Sequence, residues 1–568
     1  MKLHNHNNHD NHNNHNLYHN SSIQDSSIQD NRNIFRYHNL SIQKICLALF
    51  SGGLLTLAFP RFNVSILAWI GLIPLFFSLR DASLRSSFFL GWICGLTYFG
   101  GTLYWIVETM AIYGHVVLWQ SLLISLALVS YLSLYIGSFA LLWKWFRRFF
   151  SPMATVLIAP LIWTCLEYLR AHALTGFPWS TLGYSQYMHV RLIQFSDMAG
   201  VYGVSFLIVL VNVGLATLLE YMLVWKAAGK AKKTTSIAEN MTDLSPVICI
   251  ALVLIVAVGL AEGYGAHKLH AHTRQPQSEE TLTVGIIQGN IPQEEKWDIQ
   301  MQDAVYSGYQ ALTLLAAQQR PNVIIWPETS APFINEQKGD FLDRISPLAK
   351  KAGVPMVVGS PRIAREVNGK VSLKNSAFLL SPDGKILDYY DKIHLVPFGE
   401  YLPLGQILSH LGSVVNEIGE FSSGERHTIF QLDHWRFGLV ICYEVIFPDL
   451  FREFARQGVN FMVNITNDAW FDQSSAPYQH FSMAVFRAIE NGISVVRVAN
   501  TGISGLIDPW GRVLLETPLF RRLAIVRPIK LHREDTFYVH YGDLFAKSCL
   551  IVLGLLLILG YRKAGIRG

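Results

Sequence analysis

The stretch 437-FGLVICYEVIFPDL-450 decides the fold of the C-terminal half of this 568-residue chain. It opens on an apolar run too short for a helix, and Pro448 then supplies a helix start, so it reads as a strand, a tight turn and a helix over about 448 to 457. The unit recurs downstream, where 460-NFMVNIT-466 is followed by a helical stretch at about 475 to 491. It recurs upstream as well: 282-LTVGIIQ-288 precedes a helix at about 301 to 319, 322-NVIIW-326 precedes one at about 341 to 352, and 354-VPMVVGS-360 follows. Strands alternating with helices are an α/β signature. The turn sequences SPDG at 381 to 384 and DPWG at 508 to 511 lie between strand-like runs, so part of the sheet is expected to be antiparallel.

Outside this region the chain is far more apolar. A composition 51% hydrophobic and only 15% charged is too oily for an ordinary soluble enzyme. Apolar segments at about 44 to 60, 63 to 79, 87 to 109, 116 to 143, 153 to 169, 203 to 225, 246 to 263 and 544 to 561 are each near the length that crosses a bilayer. The expected class is therefore a polytopic α-helical membrane domain of about eight transmembrane helices plus an α/β domain. The division is a His/Asn-rich tail at 1–40, a membrane domain of about seven helices at 41–265, the soluble domain at 278–530 and a last helix at 544–561. The tail, with His4, His6, His9, His12, His15 and His19 and a duplicated SSIQD at 21 to 30, lacks the pattern of a secretory signal and is assigned no function. The net charge of +5 is small and its basic residues sit in short clusters beside apolar runs, which argues against nucleic-acid binding.

Those clusters set an orientation. Lys and Arg collect before the first segment (Arg32, Arg36, Lys44), then after the second, fourth, sixth and eighth, as Arg80 and Arg85, Lys144 and Arg147, Lys230 and Lys232, and Arg562 and Lys563. By the positive-inside rule both termini face the cytoplasm, and the α/β domain lies on the opposite side. The aromatic loop 177-FPWSTLGYSQY-187 reads as an interfacial belt, and Glu167 either snorkels or lines a cavity.

Three polar residues stand at strand ends of the α/β domain. Glu328 closes 323-VIIWPE-328, Lys392 follows 386-ILDYYDK-392 and Cys442 closes 437-FGLVIC-442. Read singly, a Glu after Pro is a helix cap, a Lys is a solvated charge and a Cys is an inert core residue. Cys442 is, however, the one thiol of six that lies outside the long apolar segments. A nucleophilic thiol needs a base and a positive neighbour, and Glu328 and Lys392 have those chemistries. His394 is not needed in such a scheme.

WPETSAP at 326 to 332, YYDKIHLVPFGEYLP at 389 to 403 and ICYEVIFPDL at 441 to 450 resemble the Glu, Lys and Cys motifs of the nitrilase, or carbon–nitrogen hydrolase, superfamily. Within it, KIHLVPFGEYLP behind several membrane helices and ahead of one more resembles the apolipoprotein N-acyltransferase family. The loop 176-GFPWSTLGYSQ-186 and the WFD after 464-NITNDA-469 are similar to that family too. The resemblance runs from about residue 44 to the C-terminus. It implies an αββα sandwich in which Glu328 is the general base, Lys392 the oxyanion stabiliser and Cys442 the nucleophile. It also points to Glu400 as a second acid, Tyr443 and Glu444 beside the nucleophile, Asn375 in the pocket and Trp297 in a loop near the lipid entrance. Packing alternatives are an interfacial anchor for Trp297 and, for Glu444, a partner that holds Lys392.

The implied reaction moves an acyl group from a phospholipid, with phosphatidylethanolamine expected as donor, through a Cys442 thioester to the N-terminal amine of a diacylated lipoprotein. Neither metal nor organic cofactor is expected, and a monomer in a bacterial inner membrane with a periplasmic catalytic domain is. The rival readings are a membrane-tethered amidase with the same three residues and a transporter with a ligand-binding domain.

Overall fold

The computed structural model describes residues 40–230, 244–274, 280–296, 298–331, 333, 340–365, 371–397, 399–401 and 421–567. The His/Asn-rich tail up to residue 39 and Trp297 lie outside the described residues.

The N-terminal half is helical: α1 (Ile42–Ala58), α2 (Ile73–Leu79), α3 (Leu84–Thr102), α4 (Trp105–Ile112), α5 (Leu118–Phe146), α6 (Pro152–His172), α7 (Ser196–Lys230) and α8 (Ser245–Arg274). Serine side chains start three of these helices: Ser41, Ser83 and Ser151 each accept from a backbone N–H in the first turn, and Pro152 adds a preset φ for α6. Among the described residues five helices, counting the one at the C-terminus, are long and apolar enough to cross a membrane. The pair α3 and α4, bent by 52°, brings the number to six if it is one span. The first two apolar segments form shorter helices: α1 has 17 residues, and Ser65–Leu79 is interrupted around Ile70 to Leu72. The turn between them, through Pro60 and Asn63, uses residues that a hydropathy window counts as membrane.

Among these helices α3 lies against α5 where small residues let backbones meet. A Cβ on Gly91 would stand 2.5 Å from the Ile136 carbonyl oxygen, and one on Gly95 would stand 2.8 Å from Ser133 Cα. Helix pairs in lipid gain from such close approach, because burying apolar surface there brings no hydrophobic gain.

The α/β domain holds two six-stranded sheets. The first sheet is made of β1 (Glu280–Gln288), β2 (Val323–Ile325), β3 (Met356–Arg365), β4 (Val371–Leu380), β5 (Ile386–Asp391) and a last strand, Leu523–Leu531. The second is made of β6 (Ile429–Leu432), β7 (Trp435–Ile441), β8 (Phe461–Thr466), β9 (Ser494–Ala499), β10 (Gly505–Ile507) and β11 (Val513–Glu516). Numbering Leu523–Leu531 as β12, the orders are β12-β1-β2-β3-β4-β5 and β11-β10-β9-β8-β7-β6. The cores β1-β2-β3 and β7-β8-β9 are parallel; the edges are antiparallel, with SPDG and DPWG turning β4 into β5 and β10 into β11.

Side-chain alternation shows the layering. On the first sheet Val284, Ile286, Val323, Ile325, Val357 and Leu379 join the core shared with the second sheet. Their neighbours Ile287, Ile324, Trp326, Met356, Val358, Phe378 and Leu380 pack instead under α9 (Gln302–Ala317) and α10 (Asp340–Ala352). Period-two burial on both faces is what a central layer requires. On the far side of the second sheet lie α11 (Pro448–Arg456), started by Pro448, and α12 (Ala476–Asn491), ended by Gly492 at φ 61°. The result is an αββα sandwich, followed by α13 (Phe537–Tyr541) and the C-terminal α14 (Leu544–Arg567).

Helix α12 joins the sandwich to the membrane helices. Every one of its residues except Tyr478 is buried. Trp179 Nε1 donates to Gln479 Oε1 (2.7 Å), Gln479 Nε2 donates to the carbonyls of Pro60 and Thr102 (3.1 Å each), and Arg487 Nη2 donates to Tyr184 Oη (3.0 Å). The Val201 N–H donates to Glu490 Oε1 at 3.0 Å. The loop 177–187 is thus corrected from an interfacial belt to a buried plug, since Trp179 finds its acceptor and Tyr184 its donor on α12. Glu167 takes the cavity-lining alternative, beside Arg170 and accepting from the Leu182 N–H at 2.8 Å.

Candidate active site

The parallel strands β2, β7 and β8 end at one rim of the sandwich, and the loops after them carry the polar groups. Glu328 follows β2 in a turn whose next residue, Thr329, has φ 44°. That turn fits only because position 359 is glycine: a Cβ there would stand 2.3 Å from the Pro327 carbonyl oxygen and 2.9 Å from Glu328 Cα. Cys442 ends β7 at φ 52°, a left-handed conformation that costs a non-glycine residue on the order of 1 kcal/mol or more and lifts its side chain off the sheet.

Around the thiol the first sheet supplies an ionic cluster. Lys392, 1% exposed, lies 2.9 Å from Glu400 Oε1 and 3.6 Å from Glu328 Oε1. Asn375 Nδ2 donates to both carboxylates, at 2.8 Å to Glu328 and 2.9 Å to Glu400. The Asn467 N–H, from the end of β8, donates to Glu328 Oε2 at 2.8 Å, and the Val396 N–H donates to Glu400 Oε2 at 2.8 Å. Burial works against the Lys392 ammonium, but Glu400 and then Glu328 overcome it and raise its pKa above the usual lysine range. Burial, with Glu328 adding to it, pushes the Cys442 thiol well up, while Lys392 pulls the other way. A base able to take the thiol proton and a cation able to favour the thiolate are therefore both within its field.

Glu444 is fully buried and does not touch Lys392. Its Oε1 accepts from Tyr390 Oη (2.9 Å) and from the N–H groups of Ile393 (2.7 Å) and His394 (3.0 Å), and its Oε2 accepts from the Ile441 N–H (2.7 Å). It ties the main chain just after Lys392 to the main chain just before Cys442. Burial pushes its carboxyl up to about 7 against those donors. Tyr443 is buried with its ring edge-on to Phe447 at 5.2 Å, and His394 stacks on Phe447 at 4.2 Å. Glu328, Lys392, Cys442, Glu400, Asn375, Tyr443 and Glu444 are thus brought together; Trp297 lies outside the described residues.

Behind the thiol stands a buried network that the motifs did not announce. A carbonyl only accepts, so His480 Nε2 carries a hydrogen and donates to the Cys442 carbonyl oxygen at 3.1 Å. His480 Nδ1 lies 3.1 Å from Asp468 Oδ1, Arg497 Nη2 donates to Asp468 Oδ2 at 2.9 Å, and Trp179 stacks on the imidazole at 5.6 Å. Burial opposes the Asp468 charge, yet Arg497 and His480 prevail and lower its carboxyl to about 2. Lys296 is also missed by sequence reading; it lies 2% exposed beneath Glu328, one residue before the Trp297 that was singled out. Asn467 stood inside the quoted NITNDA, but its contribution is a backbone N–H, which no side-chain motif reveals.

Residues 51–214 match the family described as the apolipoprotein N-acyltransferase N-terminal domain, and residues 283–535 match the carbon–nitrogen hydrolase family. The apolipoprotein N-acyltransferase of Geobacter metallireducens is 39% identical over 522 residues, covering 92% of this chain and 96% of that one. The apolipoprotein N-acyltransferase of Pasteurella multocida is 30% identical over 521 residues, covering 90% and 94%. Among solved structures, Saccharomyces cerevisiae Nit3, a member of branch 10 of the nitrilase superfamily, is 19% identical with a TM-score of 0.35, covering 47% of this chain and 94% of that chain.

Proposed function

The chain belongs to the apolipoprotein N-acyltransferase family, and from that premise we propose that it N-acylates lipoproteins in two half-steps at Cys442, with Glu328 as base and Lys392 as oxyanion partner. In the first, Glu328 takes the thiol proton as sulfur attacks the sn-1 ester carbonyl of a phospholipid, expected to be phosphatidylethanolamine. The tetrahedral intermediate collapses, the C–O bond breaks, and Glu328 returns the proton to the departing lysophospholipid oxygen, leaving a thioester. In the second, the α-amine of a diacylated lipoprotein attacks the thioester, Glu328 accepts a proton from nitrogen, and the C–S bond breaks to regenerate the thiol. Lys392 faces the oxyanion in both steps, a contribution of roughly 3 to 4 kcal/mol for one donor in acyl-transfer sites.

The observation that carries this reading is the convergence of Glu328, Lys392 and Cys442, from three strand ends in two sheets, on one buried cluster seated over membrane helices. The Asn375 and Asn467 donors orient the Glu328 carboxylate, and Glu400 fixes the Lys392 ammonium. Purified protein incubated with phosphatidylethanolamine labelled in its acyl chain should trap label as a hydroxylamine-sensitive thioester, and Cys442→Ala should not. Equal labelling of that variant would sink the assignment, and release of label to water with no transfer to a diacylated lipopeptide would sink the acyltransferase.

In the same reading the protein is a monomer of the bacterial inner membrane, both termini are cytoplasmic and the sandwich is periplasmic, as the Lys and Arg distribution supports. A green fluorescent protein fused after Gly568 should then fluoresce; a dark but full-length fusion overturns the orientation.

A further inference from the structure

Lys296 is a lysine where burial has to be accounted for. It lies in the loop after β1, and that loop is fastened at several points: the Asn290 N–H donates to the Asn500 carbonyl (3.0 Å), Asn500 exchanges hydrogen bonds with Ile291, and Asn467 Nδ2 donates to Gln293 Oε1 (2.8 Å). Its ammonium is thereby held under the turn that carries Glu328. Nζ donates to the Glu328 carbonyl oxygen at 3.0 Å and to Thr329 Oγ1 at 2.5 Å, and both acceptors are uncharged. Thr329 is the residue at φ 44°, so these bonds hold a strained turn.

The charge balance of the cluster gives the ammonium a second role. Glu328 and Glu400 are two carboxylates, and Lys392 lies within 3.6 Å and 2.9 Å of them. With those three groups alone the site would be a net anion before the thiol lost its proton, and an anionic site resists forming a thiolate or an oxyanion. Lys296 brings the cluster to neutrality.

We propose that Lys296 is the second cation of the reaction centre, positioning the Glu328–Thr329 turn and supplying the positive charge against which the Cys442 thiolate and the oxyanion formed on its acyl adduct are stabilised. The proposal rests on Cys442 being the nucleophile. The titratable groups whose fields reach Nζ are Glu328, from the end of β2, and the Cys442 thiol, from the end of β7; burial lowers the lysine to about 8 and these two oppose it. Glu294 and Glu295 are its neighbours along the loop.

The test uses the full chain in detergent with iodoacetamide as probe, reading alkylation of the Cys442 peptide by mass spectrometry between pH 6 and 10. Lys296→Gln keeps a donor and removes the charge, Lys296→Met removes both, and Lys296→Arg keeps both. The Gln and Met variants should alkylate about tenfold more slowly at pH 7 to 8, their profiles displaced upward by about one pH unit or more, and the Arg variant should return toward the parent. If Lys296→Met does not fold, the comparison of Gln with Arg decides. Superimposed profiles for Lys296→Gln and the parent overturn the charge role. Alkylation needs no acyl donor, so a protein that fails to take acyl label from phospholipid yet shows the displaced profiles would overturn the lipid reading and leave this one standing.

Discussion

Glutamine at position 444 is a severe test of how Cys442, the proposed nucleophile, is held. The carboxylate accepts four hydrogen bonds, three on Oε1 and one on Oε2. A glutamine can keep the three only by turning its carbonyl toward Tyr390, Ile393 and His394, which points its amide N–H at the Ile441 N–H. Orphaning that buried donor costs about 1 to 3 kcal/mol. Against this, burial pushes the Glu444 carboxyl up to about 7, so its ionised form carries about 3 kcal/mol of cost at higher pH that a neutral amide escapes. The two nearly offset, and Glu444→Gln should fold with a stability within about 2 kcal/mol of the parent. Activity should not be spared, because the orphaned N–H belongs to the residue before Cys442. Movement of the thiol by about 1 Å costs on the order of a hundredfold in rate. Thioester formation from labelled phospholipid, normalised to folded protein by size-exclusion chromatography, measures it. A Glu444→Gln variant that forms thioester at the parent's rate refutes the idea that this carboxylate positions the elbow.

Two further outcomes are expected. Asp468 has a folded value of about 2 against an ordinary 3.8, so its stabilisation is complete above 3.8 and is lost as pH falls through about 2; Asp468→Asn, which strands buried Arg497, should cost about 3 to 5 kcal/mol at pH 7 in thermal denaturation, with the gap narrowing toward pH 2. In the membrane domain, Gly95→Leu should collapse the yield of monodisperse protein in detergent, since its Cβ alone would stand 2.8 Å from Ser133 Cα, whereas Gly100→Ala, with nothing within 4 Å, should not change it.

The strands and helices of the sandwich were legible because each is a short apolar run or an amphipathic stretch bounded by its own turn residues, as with 437-FGLVI and Pro448. The convergence of Glu328, Lys392 and Cys442 was legible because each closes a strand. What resisted reading falls into two kinds. Glu444 was named from the sequence, but the N–H groups it accepts from, like the Asn467 N–H, are main chain, and backbone donors leave no trace in residue identity. Lys296, His480 and Arg497 meet partners 29 to 38 positions away along the chain, and in the sequence a buried polar side chain looks like any surface one. The first two apolar segments misled by length alone, because hydropathy does not register the turn at Pro60 to Asn63.

Helix α12 is buried but for Tyr478: its polar residues reach the Cys442 carbonyl in one direction and the membrane helices in the other. A catalytic domain moored this way is no head swinging on a tether, since any rocking motion would break Gln479, Arg487 and Glu490 from their buried partners at once. With the apolar helices in a bilayer, as proposed, the cluster at Cys442 keeps a constant height above it, like a fixed berth at a quay. In the proposed reaction, donor and acceptor alike must be long enough, and anchored at the right depth, to present their reacting atoms at that level, so that reach rather than domain closure sets what is acylated.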